Sequence, residues 1–162
     1  MMNRAIFFFL TVCLLSCSNN TKNTITEDQA ISVLKGFFTA MDIDNLGSDL
    51  VYNYTTTDFV IYEMGDKYDL ESFLDIIKSH FKKGYISTQW SLYDFKVSID
   101  SNTAHISYFN KGKFTFIEDG ITKEENIQWL ESVYLKYEED VLKLSFLQSD
   151  DISREVIELT SK

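Results

Sequence analysis

The chain has 162 residues, of which 25 are acidic and 15 are Lys or Arg, so its formal net charge is −10. A surface this acidic repels phosphate backbones, which argues against nucleic acid as a partner. The two cysteines are Cys13 and Cys17, so the rest of the chain holds no thiol for disulfides or zinc–thiolate sites. The length that follows them suits one domain with a sizeable core.

The first residues have the layout of a secretory signal. Arg4 precedes an apolar run over 5–15, and small residues follow it. The run is about half of the roughly 20 residues that a helix needs to span a bilayer, which disfavours a permanent span. The stretch LLSC that ends at Cys17 resembles the bacterial lipobox, whose cysteine is lipidated and becomes the first residue of the mature protein.

This resemblance implies a lipoprotein signal peptide over 1–16, lipid attachment at Cys17 and a flexible polar tether over 17–25. An anchor with more than one acyl chain is durable. We therefore expect a protein of the bacterial cell envelope, held to a membrane by its lipid, with its domain outside the cytoplasm. The alternative is a plain signal peptide that happens to hold a cysteine.

The region after the tether begins with helical patterns. A capping box that starts at Thr26 predicts a helix from about Glu27 to Met41. A short second helix is expected over 48–54, and β-branched and aromatic residues predict a strand over 58–63. Asp69 can cap a further helix with a strongly apolar face.

The segments after Ser87 alternate between apolar and polar residues and predict four antiparallel strands. Turns separate them at 100–102, 118–120 and 138–140, and a bulge is expected at 110–112. Segregated helices and strands indicate the α+β class. We expect a cone-shaped, curved antiparallel sheet wrapped around about three N-terminal helices, with an apolar pocket on its concave side.

The strand DFVIYE at 58–63, the Gly turn after it and the closing strand pair at 129–136 and 142–149 resemble the nuclear-transport-factor-2-like superfamily. That superfamily includes SnoaL-like polyketide cyclases, ketosteroid isomerases and scytalone dehydratase. The resemblance implies a cone with an internal cavity over 26–150, a C-terminal tail at 151–162, and often a homodimer. It implies no single activity, because a fold does not fix a function.

Glu131 is the main candidate for catalysis. It shares a strand face with apolar residues, where burial raises the pKa of a carboxyl and suits a general acid or an oxyanion donor. The resemblance to ketosteroid isomerases implies that Glu131 helps hold the dienolate oxygen and that Glu63 lies near the proton-abstracting carboxylate. Phe37 stands where the isomerase has a tyrosine, and it cannot donate to an oxyanion. The structural alternative is that Glu131 lies at the cavity mouth or pairs with a lysine.

A second catalytic candidate is a dyad of His105 and Asp94, because the dehydratase and cyclase relatives use His with Asp for proton transfer. This dyad requires the strand face that carries His105 to be concave. His80, beside lysines near the end of a helix, is expected to be a solvated surface residue. The sequence has no ligand spacing for a metal and no phosphate-binding loop, so no metal or cofactor is expected.

Three classes of function remain open. The first, which we favour, is a tethered domain that binds a small apolar ligand in an aromatic cavity without catalysis. The second is an isomerase, dehydratase or cyclase, and the third is a module that dimerises or docks onto another envelope protein. The enzyme class is disfavoured because the helix tyrosine and a histidine expected at the closing strand are missing. The expected pocket is formed by Phe37, Phe59, Tyr62, Tyr108, Trp129, Glu131, Phe146 and Gln148.

Overall fold

The computed structural model describes residues 24–159. The expected signal peptide, the lipid-attachment residue Cys17 and most of the expected tether lie outside the described residues. None of the helices within 24–159 is long and apolar enough to cross a membrane. The elements in chain order are α1 (Glu27–Ala40), a 3₁₀ helix (Asp49–Asn53), β1 (Thr55–Glu63), β2 (Asp66–Asp69), α2 (Leu70–Phe81), β3 (Tyr85–Asp100), β4 (Thr103–Glu118), β5 (Ile121–Glu138) and β6 (Val141–Glu158).

Both α-helices begin at the caps that the sequence predicts. The Gln29 N–H donates to Thr26 Oγ1 at 3.2 Å and the Thr26 N–H donates to Gln29 Oε1 at 2.9 Å, which completes the capping box of α1. The Ser72 N–H donates to Asp69 Oδ1 at 2.8 Å and caps α2. The short helix expected over 48–54 is the 3₁₀ turn, so the described residues hold two α-helices rather than about three.

The six strands form one sheet in the order β2-β1-β6-β5-β4-β3. The strand β1 runs parallel to β6, and the other neighbours are antiparallel. The sheet curves without closing, and the helices lie on its concave side. This architecture is the α+β cone that the sequence predicts, although β6 continues to Glu158 and so includes most of the expected C-terminal tail.

The strand β4 passes through 110–112 without the expected bulge, since Asn110, Lys111 and Gly112 all pair with both neighbouring strands. A Cβ atom on Gly112 would come within 2.6 Å of the Phe114 and Trp129 rings. The glycine therefore permits two aromatic rings to pack over the backbone, rather than marking an irregular strand.

A one-residue bulge lies instead in β6 at Ser145. Leu144 pairs with Leu135 while Phe146 pairs with Tyr134, which leaves Ser145 as the extra residue. Because side chains alternate along a strand, the insertion reverses which positions point inward. Leu144 is buried before the bulge, and Leu147 and Ser149 are buried after it.

The concave face has two parts with different packing. We call the first the packed half; α1 covers it, and its residues are at most 1 % exposed: Leu34, Phe37, Ile106, Val133, Leu135, Leu144 and Leu147. We call the second the open half; it is the hydrophobic cluster of Phe114, Ile127 and Trp129, with the aromatic residues Phe81, Tyr85 and Trp90 packed against it. The same long strands β4, β5 and β6 run through both halves.

Candidate functional site

A cavity of about 360 Å³ lies between the helices and the open half of the sheet. Its volume falls within the range of about 300–1,000 Å³ that is typical of small-molecule sites. Most of its wall is aromatic or aliphatic, and the aromatic residues that line it include Phe38, Phe73, Phe81, Trp90, Phe114 and Trp129.

A row of polar side chains crosses the concave face where the packed half meets the open half. Glu63 of β1 pairs with Ser149 of β6, Ser149 pairs with Glu131 of β5, and Glu131 pairs with Tyr108 of β4. We call these four residues the polar row. Glu131 is 5 % exposed, and its Oε1 accepts a hydrogen bond from Ser149 Oγ at 3.1 Å. Cross-strand pairing thus brings two carboxyl groups to the wall of one cavity, one on each side of Ser149.

The second oxygen of Glu131 is buried and has no hydrogen-bond partner within residues 24–159. Tyr108 and Asn110 lie close enough to favour the ionised form of this carboxyl, but their polar atoms do not reach hydrogen-bond geometry. Burial away from water outweighs these neighbours, and together with the charge of Glu63 it raises the pKa of Glu131 to about 7. An unpartnered buried polar atom is costly unless a ligand or water satisfies it.

Glu63 lies at the end of β1, also on the cavity wall. Burial raises the pKa of its carboxyl, and the negative charge of Asp151 raises it further. Arg154 and His80 act in the opposite direction through their positive charge. Both carboxyls of the polar row therefore hold their protons more tightly than exposed glutamates do.

The mouth of the cavity is fixed by an ion-pair network around Arg154. Its Nη1 donates to Glu125 Oε1 at 2.8 Å, and its Nε and Nη2 donate to Asp151 Oδ2 at 3.1 and 2.9 Å. The Tyr85 hydroxyl donates to Glu125 Oε2 at 3.0 Å. The guanidinium is thus held by two carboxylates at the mouth.

The structure brings three of the eight expected pocket residues to the cavity wall, namely Phe37, Trp129 and Glu131. Phe59 and Tyr108 are buried beside the cavity without lining it. Phe59 packs against Phe37 with a ring separation of 5.9 Å. Tyr108 contributes to the site only through Glu131, as a member of the polar row.

Tyr62, Phe146 and Gln148 lie on the outer face of the sheet, which corrects the expectation that they face the pocket. Tyr62 follows the buried Ile61, so it points the other way, and it is 40 % exposed with its ring 5.7 Å from that of Phe146. Phe146 and Gln148 are turned outward by the bulge at Ser145. Alternation from Leu144 alone would point Phe146 and Gln148 inward, but the inserted residue gives those inward places to Leu147 and Ser149.

The expected dyad of His105 and Asp94 does not form. His105 is exposed on the outer face, between the buried Ala104 and Ile106, and it pairs with Ser98 across β3. Asp94 lies earlier in β3 than Ser98, at an irregular step between Tyr93 and Lys96, and its carboxylate contacts Lys96 Nζ at 3.4 Å. The face that carries His105 is convex, so neither residue reaches the cavity.

Several site residues escape sequence reasoning. Ser149 faces inward because of the bulge at Ser145, and Arg154 does so because a second bulge leaves Ile152 without a partner in β5. Trp90 lies before the irregular step between Tyr93 and Lys96 in β3, which reverses the alternation that the residues from Tyr93 onward predict. His80 is exposed, as expected, but it also lines the cavity mouth, where its Nδ1 donates to the Ile76 carbonyl at 2.9 Å. The described residues contain no group of histidine and acidic side chains arranged to hold a metal ion.

The domain has the nuclear-transport-factor-2-like fold. A nuclear-transport-factor-2-like protein from Cytophaga hutchinsonii is 14 % identical, with a TM-score of 0.62 over 79 % of this chain and 100 % of that one. A ketosteroid isomerase-like protein from Erwinia carotovora atroseptica is 16 % identical, with a TM-score of 0.60 over 80 % and 99 %. A hexachlorocyclohexane dehydrochlorinase from Novosphingobium barchaimii is 10 % identical, with a TM-score of 0.62 over 79 % and 90 %.

No protein-family model and no curated protein sequence matches this chain. The solved structures therefore define its fold, and they include both enzymes and proteins of unknown function. At such low identity the activity has to be argued from the site itself.

Proposed function

We propose that the domain binds one small, largely apolar molecule in the cavity, and that Glu131 and Ser149 receive the polar group of that molecule. The observation that carries this proposal is the unpartnered Oε2 atom of Glu131, buried in a wall that is mostly aromatic and aliphatic. A ligand with one polar group would satisfy that atom and fill the aromatic space around it. The aromatic lining would supply most of the contact area.

Binding without catalysis is favoured by what surrounds the carboxyl. Phe37 lines the cavity where the isomerase resemblance implies a tyrosine, so this position provides no donor for an oxyanion. The Tyr108 hydroxyl is buried beside Glu131 and does not line the cavity. The polar row therefore offers hydrogen bonds for one polar group but no second donor from the helix side.

Fluorescence titration with N-phenyl-1-naphthylamine, a neutral apolar probe, tests this proposal. We expect saturable binding with a change in protein emission, because Trp90 and Trp129 are the only tryptophans of the chain and both line the cavity. Ile127→Phe should fill the cavity and weaken binding at least tenfold. Leu130→Phe is the matched control, since Leu130 lies on the same strand but is 46 % exposed. Absence of saturable binding, or an unchanged affinity in Ile127→Phe, would refute the proposal.

Proton transfer is a second candidate, and one observation favours it: Glu63 and Glu131 line the same cavity, and burial raises the pKa of both. A carboxyl with a raised pKa suits general acid–base catalysis. Deuterium exchange into the α positions of cyclohexanone, followed by NMR, would reveal this activity. It predicts exchange above the buffer rate that Glu131→Gln and Glu63→Gln each abolish. Exchange at the buffer rate would argue against this candidate for simple ketones.

We also propose that Cys17 carries a lipid that anchors the domain to a membrane of the bacterial cell envelope. The lipobox-like stretch that ends at Cys17 and the polar residues after it support this proposal. Cys17→Ser should block processing or release the protein from the membrane fraction. A mutant that is still processed at the same site and still membrane-bound would contradict the proposal.

A further inference from the structure

We infer that the ligand of this cavity is a small apolar amine, bound as a cation with its ammonium group against Glu131 and its apolar body among the aromatic side chains of the open half. This inference rests on the proposed binding function and deepens it by assigning a chemical class to the ligand. It follows from the balance of charge in the wall, from the unpartnered atom of Glu131 and from the aromatic lining.

The acidic and basic side chains that line the cavity are those of Glu63, Glu125, Glu131, His80 and Arg154. Arg154 is held by Glu125 at 2.8 Å and by Asp151 at 2.9 Å, so its charge is matched at the mouth. Neither Glu63 nor Glu131 forms an ion pair with a Lys, Arg or His side chain within residues 24–159. Glu131 therefore has no cation paired with it, and Glu63 is opposed by Arg154 and His80 only through longer-range charge.

An anion, a hydrocarbon, an alcohol and a cationic amine should bind in such a cavity with different affinities. An anion would meet two carboxyls and be repelled. A hydrocarbon would leave Oε2 of Glu131 unsatisfied, and an alcohol would satisfy it without matching its charge. An ammonium group can donate a charge-assisted hydrogen bond to Oε2 and stabilise the ionised carboxylate. An amine is thus the class of ligand that both donates a hydrogen bond to Oε2 of Glu131 and matches the charge of its carboxylate.

The aromatic wall suits the same class. Trp129 lies beside Glu131 on the wall, and its ring is 6.0 Å from that of Trp90 and 6.2 Å from that of Phe114. Aromatic faces attract cations through their quadrupole, most strongly for tryptophan and more so in a desolvated site. These rings would therefore contact the apolar body of an amine and favour its charge as well.

Binding of a cation is coupled to the protonation of Glu131. The carboxyl is faced by Tyr108 from β4, by Ser149 from β6 and by the charge of Glu63 from β1, whereas Arg154 and His80 act on Glu63. A cationic ligand favours the ionised form of Glu131, so it should bind more tightly as pH rises through neutrality. A neutral ligand lacks this dependence on carboxylate charge.

Three probes of similar shape test the inference: 2-phenylethylamine, 2-phenylethanol and phenylacetate, titrated by tryptophan fluorescence and calorimetry at pH 5.5 and pH 8. At pH 8 the amine should bind at least tenfold more tightly than the alcohol, and the anion should not bind. At pH 5.5 the amine should lose most of this advantage. Glu131→Gln should lower amine affinity at least tenfold and leave the alcohol within about twofold.

Asp150→Asn is the matched control, because Asp150 neighbours Ser149 on β6 but is exposed on the outer face. It should leave all three affinities unchanged. Equal binding of amine and alcohol, tighter binding of phenylacetate, or an amine affinity that does not change with pH would overturn the inference. If N-phenyl-1-naphthylamine binds in those cases, the proposed binding function stands; if it does not bind, that function fails first.

Discussion

The packed half and the open half of the concave face are made from the same strands but differ in what covers them. In the packed half, Phe37 and Leu34 of α1 seal the sheet, and Val133 and Leu135 are fully buried. In the open half, Trp129 and Ile127 of the same strand border a cavity of about 360 Å³. The polar row lies at the boundary. The comparison shows that strands extending past α1 form the wall of a cavity without changing the core that α1 covers.

The largest difference between the two halves should appear in the free energy of unfolding when one buried residue in each half is truncated. Leu135→Ala removes side-chain volume from a fully packed site, so we expect a loss of about 2–5 kcal/mol in the free energy of unfolding. Ile127→Ala only enlarges an existing cavity and should cost about 2 kcal/mol less than Leu135→Ala. Urea denaturation of both variants measures the difference. Equal losses would mean that the two halves are equally well packed.

The pH dependence of the free energy of unfolding should reveal the contribution of Glu131, which lies at the boundary between the two halves. Its pKa rises from 4.5 to about 7 on folding, so the folded state holds the proton more tightly. The free energy of unfolding should therefore fall as pH rises from about 4.5 to 7 and level off above that. Relative to the wild type, Glu131→Gln should gain roughly 2–3 kcal/mol between pH 5 and pH 8. A constant difference between the two proteins across this range would contradict the raised pKa.

Substitution of Gly112 should perturb the open half alone. Gly112→Ala places a Cβ within 2.6 Å of the Phe114 and Trp129 rings, so one or both rings must move. We expect a loss of about 1–3 kcal/mol, together with a shift in tryptophan emission and weaker probe binding. Thermal denaturation and fluorescence spectra measure these effects. An unshifted emission maximum would show that the rings tolerate the methyl group.

The smallest effects should come from ion pairs at opposite ends of the sheet. Lys136 contacts Asp58 at 2.8 Å on an exposed surface, so Lys136→Met should change stability by about 0–1 kcal/mol. Arg154→Met should cost somewhat more, because it leaves Glu125 and Asp151 facing each other without a cation. Raising the ionic strength should weaken the Lys136 effect first. A larger loss for Lys136→Met, measured by urea denaturation, would contradict this order.

The parts of the fold that sequence predicts are those that depend on local chemistry. Thr26 and Asp69 cap helices through contacts within one turn, and the apolar alternation around Glu131 places that acid on the inner face. Alternation along β6 predicts Phe146 and Gln148 on the inner face, but the extra residue Ser145 reverses it, and that insertion shows only in the pairing of β6 with β5.

The end of β6 escaped sequence analysis for a related reason. Residues 150–158 are largely charged and exposed, so no run of alternating apolar residues marks them as a strand. Their strand structure comes from pairing with 123–130 of β5. Strand structure that depends on pairing with a neighbouring strand is only weakly reflected in the types of residue that form it.

The parallel pairing of β1 with β6 has a consequence for the order in which the chain folds. The β1–β2 hairpin is an early segment, yet its only other neighbour in the sheet is the last described strand. Closing so long a loop is entropically costly and slow. During synthesis, Phe59 and Ile61 of β1 therefore lack this neighbouring strand until β6 emerges, and a holding chaperone would bind them in that interval.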